Sequence, residues 1–141
     1  MSEKNSIEIL KKLVSFDTTS FKSNLDLIKF IENYLNDLNI KSELIYDETK
    51  SKANLFTTIG PNLQGGIVLS GHTDVVPITK QNWTSDPFIL TERDDKLFGR
   101  GSSDMKGFIA IVLSLVSAMV EKKLKKPIHL AFSYDEEIGC V

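Results

Sequence analysis

Apolar side chains at Ile7, Leu10 and Val14, and again at Leu27, Ile28, Ile31, Tyr34, Leu35 and Leu38, recur at three- and four-residue intervals. That period lays them along one stripe of a helix, so the chain should open with two amphipathic helices separated near Asp17-Thr18-Thr19-Ser20, the second ending around Asn39. From residue 40 the period changes to two. Ile40, Ser42, Leu44 and Tyr46 alternate with their neighbours, and further short strands are expected at 54–59 and 66–70, separated by the turn residues Gly60-Pro61-Asn62 and Gly65-Gly66. Ile67-Val68-Leu69 is apolar on both faces, as in a central strand covered on both sides.

After a loop containing Trp83 and Pro87, residues 96–98 read as a short strand, followed by the turn Gly99-Arg100-Gly101-Ser102-Ser103-Asp104. A helix then begins near Met105. Phe108, Ile109, Ile111, Val112, Leu115, Val116 and Met119 make it apolar nearly all round, so it should pack deep against a sheet. Glu121-Lys122-Lys123 closes it, and Pro127 opens a last strand, 128–134, that runs into Asp135-Glu136-Glu137. Helices mixed with short strands argue for an α/β sandwich. No repeat, low-complexity tract or internal boundary interrupts residues 1–141, which are expected to form one unit.

Composition narrows the function classes. With 41% hydrophobic and 26% charged residues over 141 positions, the chain belongs among folded globular sequences. A formal net charge of -2 gives no footing for nucleic acid or an anionic membrane surface, so a small-molecule partner is expected. The longest apolar run, 108–120, contains Ser114 and Ser117 and is too short to span a bilayer. No apolar stretch follows the charges of the first six residues, and Cys140 has no partner for an internal disulfide; both features fit a cytoplasmic protein.

The candidate chemistry lies at the ends of these elements: His72 with Asp74, Asp104, and Glu136 with Glu137. Polar groups at the ends of adjacent strands can converge on one cleft, the usual ligand position of open α/β sheets. In Ser70-Gly71-His72-Thr73-Asp74 the histidine and aspartate are two apart, so an extended chain points both to one side. A metal-bound imidazole needs an acceptor on its other nitrogen, and Asp74 could supply it. Each cluster also has a plainer reading. His72 could be a satisfied surface histidine, Asp104 a helix cap, and Glu136-Glu137 a solvated strand end. A joint role for the two glutamates requires the chain to leave strand geometry, which Gly139 permits. His129, inside the last strand, reads as a packing or solvent-facing residue, and Cys140 as an inert thiol.

Taken in order, Ser70-Gly71-His72-Thr73-Asp74-Val75-Val76-Pro77, Gly99-Arg100-Gly101-Ser102-Ser103-Asp104-Met105-Lys106-Gly107 and Asp135-Glu136-Glu137 resemble the N-terminal signatures of the M20 family of zinc peptidases and deacylases. The stretches 83–88 and 133–140 are most similar to its acetylornithine deacetylase branch; succinyl-diaminopimelate desuccinylases, aminoacylases and dipeptidases share the metal signatures. The resemblance implies a three-layer α/β sandwich with a mixed sheet. It implies His72 as ligand of one zinc, Asp104 as bridge between two, Glu137 as ligand of the other, Asp74 as support for His72, and Glu136 as general base. Cobalt could replace zinc. It also places a non-prolyl cis peptide after Asp104. The implied reaction splits N-acetylornithine with water into ornithine and acetate, a step of arginine biosynthesis.

The same resemblance covers only the first third of a full family member. It puts another acidic ligand, a second metal-binding histidine and an inserted lid and dimerisation domain beyond Val141. On that reading the sandwich is truncated, and each zinc finds fewer protein ligands than the three that catalytic zinc usually takes. The chain alone should then be inactive and either self-associate or depend on a complementary C-terminal chain. A non-enzymatic remnant of a shortened gene is the alternative.

Overall fold

A computed structural model describes residues 3–140; Met1, Ser2 and Val141, the ends of the expected single unit, lie outside the described residues. The order is α1 (Glu3–Val14), α2 (Leu25–Asp37), β1 (Ser42–Tyr46), β2 (Ala53–Ile59), β3 (Ile67–His72), β4 (Thr91–Arg93), β5 (Lys96–Phe98), α3 (Lys106–Glu121) and β6 (Ile128–Ser133), with a 3-10 turn at Glu136–Ile138. Four strands form a mixed sheet in the order β1-β2-β6-β3. β1 and β2, and β2 and β6, are antiparallel, whereas β3 and β6 run parallel. The mixed α/β architecture expected from the sequence is present.

Leu27, Ile28, Ile31 and Leu35 are the buried stripe of α2, and Ile9, Leu10, Leu13 and Val14 that of α1. They share one core with Ile109, Ala110, Val112, Leu113 and Val116 of α3 and with the inward residues Ala53, Leu55, Ile59, Leu130 and Phe132 of β2 and β6. Strand alternation sends the intervening residues to the opposite face. There Phe56 stacks on His129 with ring centroids 5.7 Å apart, and Val68 stands exposed.

Two expectations are corrected. β3 is an edge strand of this sheet, and Ile67 and Val68 are 62% and 56% exposed. An apolar triplet reports what a strand could bury, but its place in the sheet follows from which strands pair. Likewise α3 is not covered all round. It buries one side against α1 and the sheet core and leaves Ile111 and Val120 about half exposed. One further element carried no periodicity. β4 pairs with β5 through a turn at Asp94 and Asp95, both in the left-handed region with φ 51° and 56°, a conformation that aspartate tolerates and short hairpins require.

Candidate metal centre

Parallel pairing of β3 with β6 sets His72 beside Ser133, and both Thr73 N and Thr73 Oγ1 donate to the Ser133 carbonyl at 2.8 Å. Beyond that point the neighbouring chains separate. β3 runs on to Asp74, whereas β6 turns abruptly at Asp135, whose φ is 60°, and enters the 3-10 turn bearing Glu136 and Glu137. Gly139, with φ 94°, ends that turn. The departure from strand geometry demanded by a joint glutamate role is therefore present, and it begins at Asp135.

Asp74 is buried, and its carboxylate accepts three hydrogen bonds: from Ser20 Oγ at 2.7 Å, from Glu136 N at 3.2 Å and from Glu137 N at 3.2 Å. It therefore ties the glutamate turn to the end of β3. His72 Nδ1 donates to the Asp74 backbone carbonyl at 3.0 Å, and the Asp74 carboxylate is farther away at 3.4 Å. Support for the imidazole thus comes chiefly from the main chain of Asp74, because the side chain already serves three other donors.

With Nδ1 occupied, His72 Nε2 faces the acids. It lies 3.1 Å from Asp104 Oδ1 and 3.7 Å from Glu136 Oε2. His72 N also donates to Met105 Sδ at 3.2 Å. Asp104 does not cap α3: the capping position is Met105, no side-chain cap bond is made, and the Asp104 side chain is 77% exposed. The Asp104-Met105 peptide is cis. Ligand atoms of His72, Glu136 and Glu137 all lie within 4.8 Å of one another, and Asp104 joins them through His72. His129 stands apart in mid-strand, with Nδ1 2.9 Å from Thr58 Oγ1, and Cys140 is exposed.

Charge shows what this cluster suits. Burial raises the Glu137 carboxyl above its ordinary pKa, and the negative Asp104, Glu136 and Asp74 raise it further, against the opposing His72. Burial alone would lower the His72 pKa. The hydrogen bond to Asp104, the Asp74 carbonyl and the charges of Asp74 and Glu136 outweigh it, and the net shift is upward. Surrounding negative charge raises the pKa of both groups, adding to burial at Glu137 and opposing it at His72. A divalent cation among one imidazole nitrogen and several carboxylates would offset that charge, so the donor set fits a metal ion.

Sequence reasoning missed Ser20, Lys52 and the buried threonines that carry these groups. Thr18 Oγ1 donates to the Thr73 carbonyl at 2.6 Å, and Ser20 N donates to the Val75 carbonyl at 3.2 Å. Asn24 Nδ2 reaches Thr73 Oγ1 at 2.9 Å. A polar run such as Asp17-Thr18-Thr19-Ser20 has no periodicity to betray that it folds inward.

The chain is similar to several proteins of known class. It is 37% identical over 137 residues to an acetylornithine deacetylase of Buchnera aphidicola subsp. Acyrthosiphon pisum (strain Tuc7), covering 93% of this chain and 36% of that protein. It is 40% identical over 138 residues to the acetylornithine deacetylase of Shigella sonnei (strain Ss046), with the same coverage of each. The chain thus spans about a third of the length of these relatives. Among solved structures, human carnosine dipeptidase 1 superposes with a TM-score of 0.83 at 26% identity, over 98% of this chain and 33% of that one. An M20 family metallo-carboxypeptidase from Sulfolobus solfataricus shares the fold with a TM-score of 0.85 at 23% identity, over 100% of this chain and 32% of that one. The family model for peptidase family M20/M25/M40 matches residues 68–140, just over half of the chain and a span holding His72, Asp74, Asp104, Glu136 and Glu137. The chain belongs to peptidase family M20/M25/M40.

Proposed function

We propose that this chain carries the metal-binding segment of a zinc-dependent amide hydrolase whose substrate is a small N-acylated amino acid, N-acetylornithine. The observation that carries this reading is the convergence of His72 Nε2, Asp104 and the Glu136–Glu137 turn at the ends of two parallel strands. Its likeness to acetylornithine deacetylases supports this choice of substrate. Imidazole and carboxylate donors suit zinc, and cobalt accepts the same set.

In this reading His72, Asp104 and Glu137 would hold the metal. Bound zinc supplies Lewis-acid polarisation of the amide carbonyl and lowers the pKa of water. Glu136 does the proton work: it takes the proton of the attacking water and delivers it to the amine nitrogen as the C–N bond breaks and a C–O bond forms. Ornithine and acetate leave. Asp74 keeps Glu136 and Glu137 in register through their amides. The reaction takes place in the cytoplasm.

Titration of the metal-stripped chain with Zn2+ or Co2+, followed by an assay of ornithine release, tests the reading. Binding should be abolished by His72→Ala, and release by the 141-residue chain alone should stay far below the order of 1 per second of ordinary enzymes. An unchanged isotherm in His72→Ala would overturn the ligand assignment.

A further inference from the structure

Lys52 and Asp135 lie outside the cluster that faces the metal, yet their polar contacts lead back to the turn that carries Glu136 and Glu137. The β2–β6 register, Leu55 opposite Phe132, extends to place Lys52 opposite Asp135. The β3–β6 ladder ends at His72 opposite Ser133, and Asp74 next accepts the amides of Glu136 and Glu137, the two residues after Asp135. The residue at which β6 turns thus meets a cation, and the two residues after it meet an anion.

Lys52 Nζ donates to Asp135 Oδ1 at 2.5 Å, to Oδ2 at 2.6 Å and to the Ser20 carbonyl at 2.6 Å, and it lies 5.7 Å from the Tyr134 ring centroid. The two side chains are only 15% and 9% exposed. Ser20 then passes from the lysine to the site, because its hydroxyl donates to Asp74 Oδ2, which accepts the Glu137 amide. Asp135 O also accepts Cys140 N at 2.7 Å and closes the turn.

A surface ion pair would merely add a little stability. This pair differs in burial and in place: it sits past the end of the β2–β6 ladder, where Tyr134 N already donates to the Asn54 side chain instead of to a strand partner. Asp135 occupies the left-handed region, which a non-glycine residue adopts at a cost, and both its carboxylate oxygens are held by one ammonium.

We propose that Lys52 is a positioning residue for Glu136 and Glu137, acting through Asp135 and Ser20 to hold the left-handed turn that presents both glutamates. The consequence for metal binding rests on the hydrolase reading above; the effect on the turn itself does not. Two measurements separate them. In the metal-free chain, Lys52→Met should speed amide hydrogen exchange at Glu136 and Glu137 by about tenfold or more and leave Leu130 in β6 unchanged. The Co2+ dissociation constant should rise by about 10- to 100-fold. Lys52→Arg should restore both. Asp135→Asn, which keeps shape and removes charge, provides the same test if Lys52→Met does not fold. Unchanged exchange at Glu136 and Glu137 would overturn the inference whether or not metal binds, as would equal acceleration at Leu130, which would mark a general loss of stability. Failure of the parent chain to bind Co2+ would instead count against the hydrolase reading, with the exchange arm still deciding the role of Lys52.

Discussion

Asp74 Oδ1 accepts the backbone amide of Glu136 at 3.2 Å, across 62 residues of chain. With Oδ2 bonded to Glu137 N and Ser20 Oγ, this buried carboxylate is the anchor of the glutamate turn.

Asp74→Asn tests that anchor. An amide in its place turns one acceptor into a donor facing backbone N–H groups. Hydrogen bonds to charged groups are worth about 1.5–3 kcal/mol each, so unfolding free energy should fall by at least about that much. Chemical denaturation measures it. A loss below about 0.5 kcal/mol, the range of a neutral surface change, would mean that the carboxylate does not hold the turn.

Asp104 is the largest of the influences raising the His72 pKa. Asp104→Asn should therefore lower it, read by NMR titration of the metal-free chain. The linkage has a definite sign. A histidine whose folded pKa is raised adds stability that is fully present below its unfolded value, near 6.5, and is lost as pH rises through the folded pKa. That acid-side stabilisation should shrink in the variant. A His72 titration that does not move would show that the 3.1 Å contact is not formed.

Lys106 titrates in the opposite sense. It is fully buried, its Nζ donates to the Phe16 carbonyl at 2.7 Å, and burial pushes its pKa down to about 7 against the opposing charge of Asp17. The unfolded chain, with lysine near 10.4, then binds more protons between about pH 7 and 10, so stability should rise with pH across that window, by up to about 1.4 kcal/mol per unit. Lys106→Met should flatten the rise, since the Phe16 carbonyl keeps Thr18 N as a partner at 3.1 Å. Equal slopes for both proteins between pH 7.5 and 9 would refute the account.

The exposed edge of β3 bears on association. Ile67 and Val68 project from a strand whose second edge pairs with no other strand among the described residues. Unpaired apolar edges recruit other chains. Light scattering should show concentration-dependent association that Val68→Lys reduces. A monodisperse monomer across the accessible concentration range would remove the edge from consideration.

Local periodicity in the sequence determined the helices, the strands β1, β2, β3, β5 and β6, and the placing of His72, Asp104 and Glu136–Glu137 at element ends. These features are legible because the spacing of apolar residues reflects the geometry of one segment at a time. The sequence also contained the turn requirement at the glutamates, which the left-handed Asp135 meets. Only the tertiary structure decided that β6 enters between β2 and β3, which makes β3 an edge and brings His72 within 3.7 Å of Glu136. It also decided that the Asp74 carboxylate serves the glutamate amides while its carbonyl serves His72, and that Lys52, 83 positions from Asp135, grips it. Such partners are chosen by strand order and by the need of each buried polar group for a bond, and neither leaves a period in the chain.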